Sequence, residues 1–327
     1  MKIKQLILTS LLGFIAAMAF IACSDDDGPK LPAPSPKEQW SATLKGGGEV
    51  LGAYPDLYCN YWEYTYRADE NSDKILCLKG EFPHCRYFSV SLYNDSTGDV
   101  FSGINDQDLV PDAGSKNPFV ETTSGKNYFT IYVVPNGTPE SVIKKLGSNV
   151  VKVAAGVNKV AIALRQYLGT TADGSQSDEY AGVELPAITA LDMNLNETPV
   201  PEHVASNIDK VTSKVYTQKS DENREMPFFL APVSMYYPNR FTAYLYGRTH
   251  LRADSVLTFS FIPAPVPTKP EEYKNAVTRY WSICMGSASD TRSYVSINDE
   301  KARYADGKKA TFVVCLKNNP KLSAIQS

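Results

Sequence analysis

Short runs of alternating apolar and polar residues fill most of this chain. Segments such as RYFSVSLYN from Arg86 and YFTIYVVPN from Tyr128 are separated by turn-forming clusters such as NDSTGD and VPDAGSKNP. Alternation with a period of two is typical of β-strands that have one buried face. Many short strands with turn signals between them favour antiparallel, jelly-roll-like β-sandwiches, so the chain is predicted to be dominated by β-structure.

A few short helices are expected to interrupt the strands. Thr138 as N-cap, Pro139 at the first helical position and Gly147 as terminator mark one of them. Apolar residues at helical spacing favour a second helix between Pro201 and Tyr216.

The chain carries two copies of one module. RYFSVSLYN from Arg86 is matched by RYWSICMGS from Arg279, and eighteen residues after each arginine the sequence Ile-Asn-Asp recurs, at 104–106 and at 297–299. Two motifs that recur at the same spacing are hard to obtain by chance. They predict a domain duplication, because a period of about 190 residues is far longer than a solenoid repeat.

Weaker matches extend the repeat in both directions. NYWEYTYR from Asn60 parallels NRFTAYLYGR from Asn239, and YFTIYVVPN from Tyr128 parallels ATFVVCLKN from Ala310. The first module then continues into two more predicted strands at 149–169, which have no counterpart in the second module. Because missing strands leave bare sheet edges, we expect the chain to be a truncated version of a longer protein. A divergent copy that closes differently is the alternative.

These patterns give a domain plan in five parts. They are a lipoprotein signal peptide at 1–22, a tether at 23–40, a first β-sandwich module at 41–190, a linker with the second helix at 191–225, and a second, incomplete module at 226–327.

The N-terminal segment predicts how the protein is held in place. Lys2 and Lys4 precede an uncharged apolar stretch that ends in FIAC. This order is that of a bacterial export signal ending in a lipobox, with Cys23 as the lipid-attachment residue. An ordinary signal peptide with an incidental cysteine is the alternative. Several acyl chains on Cys23 would anchor the protein stably on a membrane.

The sequence after Cys23 indicates the side of the membrane. SDDDG resembles the acidic export tag of surface lipoproteins of the Bacteroidetes. Three aspartates cannot enter a bilayer, and the proline-rich GPKLPAPSP that follows favours an extended spacer. We therefore expect a lipid-anchored protein of the outer membrane, displayed at the cell surface.

Charge and motif content narrow the function classes. The chain has 33 Lys and Arg against 36 Asp and Glu, with no basic run, which argues against a nucleic-acid partner. It contains no GxSxG, no HExxH and no phosphate-binding or dinucleotide-binding glycine motif. We expect no cofactor and a non-catalytic protein, with a hydrolase that uses an unrecognised site as an alternative.

One face of the strand that begins at Arg86 is a candidate binding surface. Alternation separates apolar residues from a strip of tyrosine and serine, which starts again in the second copy. Such a strip suits stacking on sugars or peptides, although the solvated face of an antiparallel sheet has the same pattern. The strip comprises Tyr87, Ser89, Ser91 and Tyr93, with Tyr280 in the second copy.

A second candidate lies in KVAIALRQYLG. Arg165 and Tyr167 share a face with Ala161 and Ala163, which predicts a small hollow with a cation at its rim. An arginine there could hold an anionic ligand or pair with an internal carboxylate.

Three aspartates lie close together in INDQDLVPDAG. Asp106, Asp108 and Asp112 are explained as turn formers. A calcium site is the alternative, because hard cations take several carboxylate oxygens, but the regular spacing of an EF-hand loop is missing. No other metal site is predicted.

Three segments together resemble a known family. FPHCRYFSVSLYN, LVPDAGSKNPF and VAIALRQYLG are similar to a widespread bacterial family of exported proteins, a domain of unknown function with a duplicated RY[FW]S strand. The likeness covers most of the first module. The second module keeps the strand motif at 279–282, but RYADGKKATF does not reproduce the loop. The resemblance implies β-sandwich modules and brings no established activity.

The function that these observations favour is binding. We expect a surface lipoprotein whose ligand is a glycan or another small molecule, and the identity of any protein partner is open. The alternative is a structural or protein-interaction component of an envelope assembly, which a large exposed apolar patch without a cleft would favour.

Overall fold

Two five-stranded sheets face each other in the first half of the chain. The computed structural model describes residues 35–44, 54–207, 228–230, 237–287, 292–304 and 308–326. The strands of this half are β1 (Ser41–Leu44), β2 (Cys59–Arg67), β3 (Ile75–Glu81), β4 (Tyr87–Asn94), β5 (Asp99–Asn105), β6 (Tyr128–Val134), β7 (Val150–Lys152), β8 (Lys159–Tyr167), β9 (Ala187–Leu191) and β10 (Glu197–Thr198). One sheet has the order β1-β2-β8-β4-β5 and the other β10-β9-β3-β6-β7.

The core lies between these two sheets. All strand pairs are antiparallel except β6 and β7, and each sheet turns its apolar positions toward the other. The first sheet contributes Trp62, Phe88, Val90, Leu92, Ile162 and Leu164, and the second contributes Leu76, Leu78, Phe129, Ile131, Val133 and Ile188. The prediction of an all-β, sandwich-like fold is confirmed.

In the described ranges four short helices accompany the strands: α1 (Pro36–Gln39), α2 (Glu140–Leu146), α3 (Pro270–Tyr273) and α4 (Leu322–Gln326). Helix α2 confirms the helix predicted before Gly147, but Pro139 is its N-cap and not its first helical residue. The hydroxyl of Thr138 donates to the carbonyl of Pro135 instead of capping the helix. Of the second predicted helix, 201–207 is not helical, and the remainder lies outside the described residues.

The described residues of the second half form three two-stranded ladders. They are β11 (Phe229–Leu230) with β12 (Leu245–Tyr246), β13 (Val256–Phe261) with β16 (Ala310–Cys315), and β14 (Ser282–Gly286) with β15 (Ser293–Asn298). Among the described residues, the second half is therefore built from the same kind of antiparallel pairs as the first, in smaller sheets.

The ladder of β14 and β15 repeats that of β4 and β5. Ser89 lies opposite Asn105 in the first copy, and Ser282 lies opposite Asn298 in the second. Both ladders also have a register irregularity at the same place, directly after Leu92 and directly after Met285. The strand register and the position of the irregularity recur at the same distance along the chain in both ladders, which supports the duplication.

The ladder of β13 and β16 repeats that of β3 and β6 in the same way. Leu76 lies opposite Val133, and Leu257 lies opposite Val314. The burial pattern matches Ala310 with Phe129, since both are fully buried, whereas Tyr128 is exposed. The sequence match that pairs Tyr128 with Ala310 is therefore off by one residue.

Both copies belong to one body. Residues Ser35–Ser327 form a single compact unit. Within the described part of the chain, no helix has the length and apolar character needed to cross a membrane.

Candidate functional site

The tyrosine and serine strip of β4 lies on the face of the first sheet that points away from the core. Ser89, Ser91 and Tyr93 have 0% relative exposure there, and Tyr87 is half-buried. The ring of Tyr93 lies 4.9 Å from that of Tyr237, which belongs to the second half of the chain. The strip that alternation predicts to be open is thus covered, because alternation identifies two faces but not what packs on each.

Arg165 of β8 lies at the centre of this covered face, opposite Tyr61 on one side and Ser89 on the other. Its Nη2 donates to the carbonyl of Tyr237 over 2.7 Å. The guanidinium lies 5.5 Å from the ring centre of Tyr61 and 5.4 Å from that of Tyr93, both within cation–π range. Within the described residues no carboxylate lies within 4.0 Å of it. Arg165 therefore holds a backbone carbonyl of the second copy, and the part of the chain that the structure describes places no carboxylate in ion-pair contact with it.

Tyr167 joins the strips of the two copies. Its ring lies 5.4 Å from that of Tyr87 and 5.0 Å from that of Tyr280, edge-on in both cases. The candidate residues of β4, β8 and the second copy thus converge, as one interface between the copies.

Two loops with nearly the same sequence, YPD at 54–56 and YPN at 237–239, border this interface. In both loops the first tyrosine has a φ of 46°. The amide of the third residue donates to a tyrosine hydroxyl, that of Tyr61 over 3.1 Å and that of Tyr244 over 2.8 Å. The loops are therefore equivalent, and the weaker sequence match that starts at Asn60 is out of register. The tripeptide Tyr-Pro-Asp/Asn is the signal that could have revealed this.

Each loop accepts a hydrogen bond from the strand of the other copy. The hydroxyl of Tyr87 donates to Asn239 Oδ1 over 3.1 Å, and that of Tyr280 donates to Asp56 Oδ2 over 2.7 Å. Ser282 also donates to Asp56. Burial raises the pKa of Tyr280, and the charge of Asp56 raises it further, so the phenol remains a neutral donor.

Two ion pairs cross between the copies in the same reciprocal way. Arg279 Nη2 lies 2.7 Å from Asp106 Oδ1, and Arg86 Nη1 lies 2.9 Å from Asp299 Oδ2. Arg86 also pairs with Glu300. Each arginine of the repeated strand thus pairs with the Ile-Asn-Asp aspartate of the other copy, as in a two-fold contact.

Asp106 is fully buried at this contact. Its Oδ2 accepts the amide of Phe88 over 2.8 Å. Burial raises the pKa of the Asp106 carboxyl, and the Arg279 guanidinium opposes that shift. Sequence spacing identifies Asp106 as part of a repeat, but it does not show that its partner comes from the other copy.

The three aspartates of the calcium alternative have separate partners. Asp106 is engaged by Arg279, Asp108 accepts the side-chain amide of Asn105 over 2.8 Å, and Asp112 accepts the hydroxyl of Thr130 over 3.0 Å. The described residues contain no group of three or more His, Cys, Asp or Glu that could hold a metal ion. These partners are not backbone amides of the aspartates' own turn, so the contacts do not support the interpretation as turn formers. That role belongs to Asn105, whose side-chain oxygen accepts the amides of Gln107 and Asp108 over 2.9 and 3.1 Å.

The loop that carries the family resemblance has a structural explanation. The side-chain amide of Asn117 donates to the carbonyls of Asp106 and Leu109 over 2.7 and 2.8 Å. Phe119 enters the core, with its ring 6.3 Å from that of Phe82. These residues fix the path of the loop.

A cleft of about 210 Å³ opens beside the interface. Its walls include Phe82 and His84 after β3, Phe119 of the loop and Tyr273 of α3. Pockets for drug-sized ligands have volumes of about 300–1,000 Å³. The cleft is therefore suited to a small ligand at most.

The apolar face of the second copy is only partly covered. Val90 and Leu92 of the first copy have 0% exposure, whereas their counterparts Ile283 and Met285 are half-buried. Large apolar side chains of this half are exposed, among them Leu245, Val256, Ile262, Tyr294, Val295 and Val313. Val256 and Val313 lie on the outer face of their ladder with Thr258, whereas Ile283 and Met285 correspond to the core positions Val90 and Leu92. The second copy therefore leaves partly open, at Ile283 and Met285, a face that the first copy keeps inside its sandwich.

We compared the chain with protein-family models and with curated protein sequences, and neither comparison found a match.

Proposed function

We propose that this chain is a non-catalytic binding protein, attached by lipid on Cys23 to the outer membrane and displayed at the cell surface, and that its ligand is a polypeptide. The half-covered apolar face of the second copy carries this proposal. Exposed apolar patches mark protein interaction sites, because covering them removes apolar surface from water.

The anchor part of the proposal is supported by the sequence FIAC before the acidic SDDDG segment. Its test is labelling of cells with a radioactive fatty acid, followed by protease treatment of intact cells. Label on the protein, loss of label in Cys23→Ala, and digestion from outside are the expected results. Unlabelled protein, or protein that is protected in intact cells, contradicts this part.

A polypeptide is a better match to the structure than a glycan. The tyrosine and serine strip that favours sugar stacking lies inside the interface between the copies, with Ser89 and Ser91 fully buried. The partly covered face of the second copy is instead lined by Ile283, Met285 and Phe259, whose ring lies 5.3 Å from that of the buried Phe312. Side chains of this kind bind apolar side chains.

The ligand class is tested by thermal unfolding of residues 35–327 with three probes: a peptide of alternating valine and threonine, a linear glucan oligosaccharide and calcium chloride. A bound probe at 100 times its dissociation constant adds about 2.7 kcal/mol of stability. The peptide is expected to raise the midpoint, and a matched peptide with proline at every third residue is not, since proline prevents strand pairing. A midpoint raised by the oligosaccharide or calcium and not by the peptide contradicts the proposal.

A further inference from the structure

Around Arg165, the interface between the copies contains four buried polar groups that have no hydrogen-bond partner in the described part of the chain. They are the Nη1 of Arg165, the hydroxyls of Ser89 and Ser91, and the side-chain nitrogen of Asn239. All four residues are at most 4% exposed. Buried polar groups are normally paired, because an unpaired one has lost its hydrogen bonds to water without replacement. The four groups therefore point to a bound ligand.

The fold brings these groups into one region. Ser89 lies directly opposite Arg165 in the pairing of β4 and β8, and Ser91 is the next residue of β4 on the same face. Asn239 comes from the second copy, in the loop that Arg165 holds through its Nη2. Its Oδ1 accepts the hydroxyl of Tyr87, which precedes Ser89 on the same face of β4. Both copies thus contribute to the region.

The unpaired groups are donors of hydrogen bonds. The Oδ1 of Asn239 also accepts the backbone amide of Phe241 over 3.1 Å. Since a backbone amide can only donate, this contact fixes the oxygen of the side chain and leaves the NH2 group as the unpaired end. A guanidinium has only donors, and a serine hydroxyl can donate as well. The matching ligand is therefore an acceptor.

The charge of the region is positive. Within the described residues, no carboxylate lies within 4.0 Å of Arg165. The carboxyl group on the neighbouring strand β2, that of Glu63, lies opposite Ala163 and not opposite Arg165. Burial raises the pKa of the Glu63 carboxyl, which is the reverse of what a close guanidinium does. A buried cation without a counter-charge is costly, so a negative ligand matches the region better than a neutral one.

Small residues leave space for such a ligand beside Arg165. Ala163, Ser91 and Gly103 lie opposite one another on the adjacent strands β8, β4 and β5. Ala163 and Gly103 are partly exposed, so a hollow lies over this row. A methyl group added to Gly103 would lie 3.3 Å from the Cδ of Arg240, and a second cationic side chain therefore borders the hollow.

We propose that the interface between the copies binds a monovalent anion of the size of chloride, held by Arg165 and the two serines of the first copy and by Asn239 of the second. The ion neutralises the guanidinium and accepts hydrogen bonds from both copies, so it links them. Arginine is well suited to hold an anion at such a contact. The inference goes beyond the proposed function, since it concerns the contact between the copies and not the binding of a polypeptide.

The test is thermal unfolding of residues 35–327, which belong to one compact unit, in sodium chloride, sodium bromide and sodium gluconate. One ionic strength is kept throughout, so that screening of surface charges is the same in all three salts. A ligand that binds only the folded protein raises the midpoint. Chloride and bromide are expected to raise it by about 4 °C relative to gluconate, whose ion is too large for a hollow over alanine, serine and glycine.

Three variants locate the ion. Asn239→Asp supplies a carboxylate from the protein itself, as the equivalent loop has in Asp56, and should abolish the difference between halide and gluconate. Ser91→Ala removes one donor and should weaken chloride binding about tenfold, which moves the dependence of the midpoint to tenfold higher chloride. Asn136→Asp adds the same charge at an exposed turn and is the matched control, with the full halide effect.

Equal midpoints in chloride and gluconate would overturn the inference and mean that water alone pairs these groups. A halide effect that Asn239→Asp and Ser91→Ala both retain would overturn it as well, since the ion would then lie elsewhere. If Asn239→Asp does not fold, Ser91→Ala decides, because it removes a single hydroxyl.

Discussion

Tyr87 and Tyr280 occupy the same position in the two copies, but the groups that accept their hydrogen bonds differ in charge. Tyr87 donates to the amide oxygen of Asn239 and Tyr280 to the carboxylate of Asp56. A hydrogen bond to a charged group contributes about 1.5–3 kcal/mol, and one between neutral groups about 0.5–1.5 kcal/mol. The repeat therefore provides a matched pair for measuring the effect of one charge.

Tyr280→Phe should lower the free energy of unfolding by about 2 kcal/mol, and Tyr87→Phe by about 1 kcal/mol. The larger loss is expected at Tyr280 because the carboxylate of Asp56 is buried and loses one of its few donors. Urea denaturation of residues 35–327 at pH 7 measures both values. A larger loss for Tyr87→Phe would contradict the assignment of Asp56 as the charged acceptor.

Strands β4 and β14 share a sequence period and a register but not an environment. Leu92 is fully buried in β4, whereas its counterpart Met285 is half-buried in β14. The difference follows from β8, which completes the sheet around Leu92 and has no described equivalent beside Met285.

Leu92→Ala should therefore destabilise the protein by about 3 kcal/mol, in the range for a fully buried leucine, and Met285→Ala by about 1 kcal/mol. The shift of the urea midpoint at constant slope gives both values. Similar losses for the two variants would mean that the face around Met285 is as well covered as that around Leu92.

Local features of this fold could be predicted and distant ones could not. Alternation predicts the strands, and a proline followed by Gly147 predicts α2, because both depend on neighbouring residues. The repeat was detectable at Arg86 and Arg279, which are identical in both copies. Their ion pairs could not be predicted, since the pair of Arg86 with Asp299 joins residues that are 213 positions apart in the sequence. The buried position of Ser89 and Ser91 depends on the same distant contact.

At the scale of the whole molecule, the two copies interlock through exchanged contacts. Arg86 and Arg279 each pair with the aspartate of the other copy, and Arg165 holds a carbonyl of the second copy. A buried ion pair that loses one partner leaves an uncompensated charge, so such contacts depend strongly on one another. The copies are thus expected to unfold together.

A double-mutant cycle tests this interlocked arrangement most directly. Arg279→Ala, Asp106→Ala and the double variant should give a coupling energy above about 1 kcal/mol in urea denaturation, because the two side chains are in contact. The matched cycle within one copy, Arg279→Ala with Asp299→Ala, should give a smaller coupling energy, since these two residues are linked through Arg86 and not by an ion pair of their own among the described residues. A larger coupling within the copy than between the copies would contradict the exchange of ion pairs and, with it, the interface between the two copies.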